Sequence, residues 1–186
     1  MTIHVIGLGE SAKHYKGQTP SIGVNDCLKW GYQPTYLMIL NIPSQFTPDR
    51  MELIQRTRPN KLYTDNPNNW KSMFTTVERF ESRAWAHSNR LQKISKNYLY
   101  HSKTSPFAAI SLAFSWGFTE IVLWGVDMVN HRVYSPNGNE GSFLNEIASY
   151  KTFIASLREA GVKVFLGHGG SNLKFLPIWQ PKTHRQ

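Results

Sequence analysis

The chain has 186 residues, 40% of them hydrophobic and 13% aromatic, enough to bury one core and too apolar for a disordered segment. Lysine and arginine number 21 against 12 acidic residues, a formal charge of +9 that favours an anionic partner: nucleotide, nucleic acid, acidic glycan or membrane surface. A single cysteine, Cys27, excludes an internal disulfide framework and cysteine-rich zinc modules, and no apolar run approaches the ~18 residues of a membrane span.

Met1-Thr2-Ile3-His4-Val5-Ile6 lacks the basic start of a signal peptide. It reads as a buried strand, Ile3–Ile6, ending in Gly7-Leu8-Gly9-Glu10-Ser11-Ala12. Together with the lone thiol this points to a reducing, cytoplasmic setting. A second strand, Ser21–Val24, runs into Asn25-Asp26, and a third, Tyr36–Leu40, runs into Asn41. A helix then opens with Thr47 as cap and Pro48 and Asp49 in its first turn, and it stops before Pro59. Lys61–Thr64 is the next short strand.

Residues 66–96 show no clean period and read as a lid or insertion within the domain. Seven Lys/Arg and two Glu lie from Asn66 through Lys103, so that stretch supplies five of the nine net charges. Trp70, Phe74, Phe80 and Trp85 interleave there with Lys71, Arg79 and Arg83. Such interleaving suits a stacking platform for single-stranded nucleic acid, but the absence of a binding motif favours core aromatics under a basic face.

Beyond it, Tyr98–His101 is a candidate strand, and Lys103-Thr104-Ser105-Pro106 opens an almost wholly apolar helix, Phe107 to Trp116, closed by Gly117. A helix apolar on every side must be buried. Ile121–Trp124 is a central strand ending in Gly125-Val126-Asp127. Ser142 caps a further helix with Phe143, Ile147, Tyr150, Ile154 and Leu157 on one stripe, ended by Gly161. Val162–Leu166 is the last strand and leads to Gly167-His168-Gly169-Gly170-Ser171-Asn172. The alternation defines one α/β domain over residues 1–186, a mainly parallel sheet flanked by helices.

In such sheets ligands sit outside the carboxyl ends of the strands. Here those ends carry Gly7, Gly9 and Ser11, then Asn25, Asn41 with Ser44, Asp127, and Ser171 with Asn172, while Thr104 and Ser105 begin the buried helix. Glycines let backbone approach phosphate, hydroxyls and helix N-termini donate to it, and amides read base and ribose edges. Each residue alone is an ordinary turn former or cap; their convergence on one edge points to a nucleotide cleft. Gly7 to Ala12 also fits the dinucleotide pattern G-x-G-x-x-A, but only Ala12 to Thr19 remain before Pro20, too few for the crossover helix that pattern needs.

Val5-Ile6-Gly7-Leu8-Gly9-Glu10-Ser11, Asn25, Leu40-Asn41-Ile42-Pro43-Ser44 and Lys103-Thr104-Ser105-Pro106, followed by the apolar helix and Gly125-Val126-Asp127, resemble in order the motifs of the bacterial sialyltransferases of glycosyltransferase family 42. The same outline occurs in Rossmann-like relatives that include a pterin pyrophosphokinase-like group. The resemblance implies a Rossmann-like domain with a CMP-sugar cleft, placing Asn25, Asn41, Thr104, Ser105 and Asp127 on the nucleotide side and Ser171 and Asn172 in a second nucleotide-contacting loop. This chain departs from it in two places. Leu8 stands where the family commonly has a polar residue, and Asn139-Glu140-Gly141-Ser142 stands where its general-base histidine lies.

Glycosyl transfer from such a donor needs stabilisation of phosphate charge and a base for the acceptor hydroxyl. The hydroxyls of Ser11, Thr104, Ser105 and Tyr134, aided by Lys103 or Arg132, suit the first need; His131, Glu140 and His168 are candidates for the second. The chain has no D-x-D pair and no histidine cluster with metal-ligand spacing, so the expectation is a metal-independent reaction whose nucleotide-sugar donor is the substrate, with no separate cofactor. The acceptor is expected to be acidic or a glycan, and the short chain raises homo-oligomerisation as a way to complete its site. Two other readings stay open: a pyrophosphokinase-like phosphotransfer protein using a nucleoside triphosphate, and a non-enzymatic nucleic-acid-binding module. His4, His101 and Cys27 read as structural.

Overall fold

The computed structural model describes residues 1–80, 82–85, 92–102, 104–129 and 141–181. In chain order these form β1 (Thr2–Ile6), β2 (Ser21–Val24), β3 (Tyr36–Met38), α1 (Pro48–Arg56), β4 (Lys61–Thr64), β5 (Val77–Arg79), β6 (Ser82–Ala84), β7 (Leu99–His101), α2 (Ser105–Ser115), β8 (Glu120–Trp124), α3 (Gly141–Glu159) and β9 (Lys163–Leu166). Seven strands make one sheet in the order β5-β4-β3-β2-β1-β8-β9, and every pairing is parallel. β6 and β7 pair, also in parallel, in a separate two-stranded sheet.

Burial on both faces explains the nearly continuous apolar strands. Ile3 and Val5 of β1 join a cluster with Phe107, Ile110 and Phe153 from the helices, while Ile6 joins Leu37, Ile54, Trp70 and Trp124 on the opposite face. α2 is apolar all round because it is enclosed: it packs on β1, β2 and β3 on one side and on β7 on the other. Even its polar Ser111 is consumed, the hydroxyl accepting from the Tyr100 amide at 2.8 Å.

Several elements differ from the sequence expectation. The third strand ends at Met38 instead of Leu40, although the Ile39 amide still reaches the Tyr63 carbonyl at 3.0 Å. Within residues 66–96, Val77–Arg79 adds an edge strand to the main sheet, and three residues are too few for any period to reveal. Lys61 clasps that strand through Glu78 at 2.6 Å. Trp70 is fully buried and Trp85 nearly so, its indole N–H donating to Thr152 at 3.1 Å. These two rings belong to the core and offer no stacking platform. The dinucleotide pattern fails as its spacing predicts, since the connection from β1 to β2 holds only the 3-10 turn Glu10–His14.

His4 and Cys27 are buried. His4 accepts a hydrogen bond from the Trp124 indole at 3.1 Å, and burial lowers its pKa to about 4 against the opposing charge of Glu120. Burial, with Asp26 adding to it, pushes the Cys27 thiol up to about 12, which leaves it inert at neutral pH. His4 has a testable consequence. Between pH 6.5 and about 4 the unfolded chain binds a proton at His4 that the folded chain refuses, so the stability present above that window drains away as pH falls through it. The urea midpoint is expected to drop between pH 7 and pH 4, and His4→Gln, which keeps an acceptor for Trp124, is expected to flatten that drop.

Candidate functional site

The strand order places β1 between β2 and β8, so the chain leaves β1 toward one side and later returns on the other. The carboxyl ends of β1 and β8 therefore form a topological switch point, where open parallel sheets take ligands. Six expected residues meet there. The Gly7 amide donates to Trp124 O at 2.7 Å and the Gly9 amide to Gly125 O at 2.8 Å. A Cβ on Gly7 would lie 2.3 Å from the Gly125 carbonyl oxygen, and one on Gly9 would lie 2.4 Å from an Asp127 carboxylate oxygen. Both glycines thus serve loop-on-loop contact, where the sequence suggested an approach to phosphate.

Asp127 and Ser11 lock this knot. Asp127 accepts from the Ser11 amide at 2.9 Å and from the Ser11 hydroxyl, while that hydroxyl accepts from the Gly125 amide at 2.9 Å. The single hydroxyl proton of Ser11 is thereby committed to Asp127, which removes it as a phosphate donor in this state. Ser171 donates to Val126 O at 2.7 Å, and Asn172 bonds Asp127 O through its amide at 2.8 Å and Met128 O through its side chain at 3.0 Å. The last loop is thus stapled onto the end of β8. His168 in that loop is exposed and stacks on His14 at 3.8 Å, which ties the same loop to the one after β1.

The ends of β2 and β3 are less closed. Asn25 adopts a left-handed backbone, φ +48°, and its side-chain Oδ1 is buried without a hydrogen-bond partner. Both features are costly, and both are typical of a group held ready for a ligand. Asn41 donates through its side chain to Gln45 at 3.2 Å, and its carbonyl accepts from the Trp70 indole at 3.2 Å. Ser44 is exposed in the 3-10 turn Pro43–Gln45.

Behind these asparagines runs a brace that sequence reasoning missed. Asp26, 1% exposed, takes both the Nη2 (2.7 Å) and the Nε (3.1 Å) of Arg50 on one carboxylate oxygen. The guanidinium lies 4.8 Å over the Phe46 ring, and Phe46 meets Trp70 edge-on. Asn25 and Asn41 are thus backed by one continuous set of contacts through α1. Only the position of Arg50 in the first turn of an amphipathic helix hinted at it.

α2 ends shortly before β8 begins, so its N-terminus lies at the carboxyl edge of the sheet. Ser105 is its first residue and Thr104 the cap. The Thr104 hydroxyl makes no capping bond; it pairs with the Tyr150 hydroxyl at 2.7 Å. Burial, reinforced by the Glu146 charge, raises the Tyr150 pKa and keeps the phenol neutral. Lys103, His131, Arg132, Tyr134 and Glu140 lie outside the described residues. Among the described residues no three histidine, cysteine or acidic side chains are grouped as metal ligands, and no helix is long and apolar enough to cross a membrane.

A parallel α/β sheet with amide and hydroxyl groups gathered at its switch-point edge defines the class of fold to which this chain belongs. Within it, the chain shares its fold with solved sialyltransferases. The sialyltransferase CstII from Campylobacter jejuni in complex with the substrate analogue CMP-3FNeuAc superposes with a TM-score of 0.56 at 14% identity, over 95% of this chain and 84% of that one. The sialyltransferase CST-II with a trisaccharide acceptor and CMP gives 0.54 at 13% identity, over 95% and 85%. No family model matches the chain, and no curated protein matches it in sequence.

Proposed function

We propose that this protein binds a nucleotide-linked sugar, CMP-linked in the first instance, at the carboxyl edge of its sheet and transfers the glycosyl unit to an acceptor hydroxyl. The observation that carries the reading is Asn25, a strained residue with a buried, unsatisfied amide oxygen at the end of β2. The shared fold supports it, because those structures hold CMP or a CMP-sugar analogue. In this reading Asn25 and Asn41 read the nucleoside, and the first turn of α2 with Thr104 and Ser105 stabilises charge growing on the departing phosphate. The donor is a substrate, and the acceptor is a glycan.

Calorimetric titration with CMP, CDP, UDP and GDP tests this reading. CMP is expected to bind, and Asn25→Gly is expected to weaken it about tenfold by deleting one ligand hydrogen bond. The melting temperature of Asn25→Gly should stay level or rise, because glycine accepts φ +48° without strain and the orphaned oxygen is gone. Binding of none of the four nucleotides would overturn the reading.

A further inference from the structure

β9 is an outer strand of the main sheet and bonds to β8 on one side. The Lys163 amide donates to Thr119 O at 2.9 Å and the Gly167 amide to Leu123 O at 2.8 Å. Both backbone groups of a strand residue point to the same side, and successive residues alternate sides. The odd-numbered positions of β9 therefore face β8, and Val164 and Leu166 face outward. The chain itself covers one of these two. Pro177–Trp179 runs parallel to β9 there: the Pro177 carbonyl accepts from the Leu166 amide at 2.9 Å, and the Trp179 amide donates to the Leu166 carbonyl at 2.7 Å. Val164 has no such partner among the described residues.

Beside Val164 the surface opens into a groove of about 440 Å³, lined by residues 161–165, Arg158 and Pro177. That volume falls within the ~300–1,000 Å³ of binding clefts. Its charge has one sign, since Arg158 and Lys163 are exposed and no acidic residue lines it. Arg158 reaches the Phe175 carbonyl only at 3.5 Å, and Lys163 makes no ion pair among the described residues. The two cations bracket the edge. Val164 and Leu166 pack into the core with Leu157 of α3, so Lys163 points by alternation to the opposite face of the sheet. Arg158 comes from the last turn of α3 itself. One cation thus stands on each face.

We propose that the outer edge of β9 docks an extended acidic segment of a partner protein, which joins the sheet as an added strand. The incoming backbone pairs with the Val164 amide and carbonyl. Successive side chains of a strand point to opposite faces, so two adjacent acidic residues meet Arg158 on one face and Lys163 on the other. Other occupants lack the charge. A second copy related by a two-fold axis sets the same two cations against its own, in a chain of formal charge +9. The sequence after Pro181, Lys182-Thr183-His184-Arg185-Gln186, holds cations and no acid. Lysine on an open edge also deters self-pairing, which leaves this edge selective for acidic chains. The site lies toward the amino end of β9, away from the carboxyl edge, and is independent of the nucleotide reading.

The test selects hexapeptides from a displayed random library on the immobilised full chain, then measures the synthesised winners by fluorescence anisotropy. Selection is expected to enrich two adjacent acidic residues flanked by β-branched ones, with affinity that falls as salt rises. With the selected peptide bound, hydrogen exchange at the Val164 amide is expected to slow by about tenfold or more. Arg158→Glu combined with Lys163→Glu is expected to weaken the peptide about tenfold or more. Both side chains are exposed, so the melting temperature should stay near the parent's. Val164→Pro removes the outward donor, which β8 does not use, and is expected to weaken the peptide with both cations in place. A library that yields no acidic consensus overturns the proposal. So does a charge-reversed chain, or a folded Val164→Pro chain, that binds the peptide like the parent. Unchanged Val164 exchange in the complex overturns it as well. A parent that sediments as a dimer with Val164 protected in it makes a second copy the occupant, which also defeats the acidic-segment assignment.

Discussion

Arg50→Met is expected to cost about 3–5 kcal/mol of folding stability, the range for leaving one partner of a buried ion pair without the other. The carboxylate left behind belongs to Asp26, 1% exposed, and both guanidinium contacts fall on its Oδ1. Methionine keeps the volume over Phe46 but brings no charge. Urea denaturation should show the midpoint falling with little change in slope. The double variant Asp26→Asn with Arg50→Met, which buries no unpaired charge, is expected to recover most of that loss. It also separates stability from function, since a folded double variant that binds CMP more weakly than the parent identifies the pair as the brace for Asn25. An Arg50→Met chain with the parent's urea midpoint would show that the pair contributes nothing.

Gly7→Ala is expected to be nearly as damaging. The new Cβ would stand 2.3 Å from the Gly125 carbonyl oxygen and 2.8 Å from its carbon, and backbone cannot swing aside as a flexible side chain can. Overpacking of this kind costs about 3 kcal/mol or more when the obstacle is rigid, which for a chain of this size lowers the melting temperature by roughly 6–12 °C. The loss should appear as thermal instability even in the absence of nucleotide. That separates loop-on-loop contact from phosphate approach as the reason for glycine. A Gly7→Ala chain that melts like the parent but loses CMP would restore the phosphate reading for this position.

Much of the architecture was legible in the residues themselves. Short apolar runs closed by Gly, Asn and Asp marked β1, β2, β4, β8 and β9 to within a residue or two, because a strand in a parallel sheet is apolar on both faces and needs no knowledge of its neighbours. The wholly apolar α2 announced its own enclosure in the same way. The failed dinucleotide pattern was legible too, since chain length alone forbids a helix that does not fit. β5 and β6 were not, because three residues carry no period and their pairing depends on an edge offered by other strands.

The site divides along the same line. That Asn25, Asn41, Thr104 and Asp127 stand at strand ends or helix starts followed from order along the chain. What each of them does there did not. The Ser11 hydroxyl is committed to a carboxylate 116 residues away, the Asn41 carbonyl is held by an indole 29 residues on, and Asp26 is neutralised by an arginine 24 residues on. The apolar stripe read for α3 did not include Glu146, and only the packing of the helix shows that it is buried. Periodicity reports how a segment divides its own faces between core and solvent. Hydrogen bonds and charge pairing depend on distances across the core, and those exist only once the sheet has brought its strand ends together.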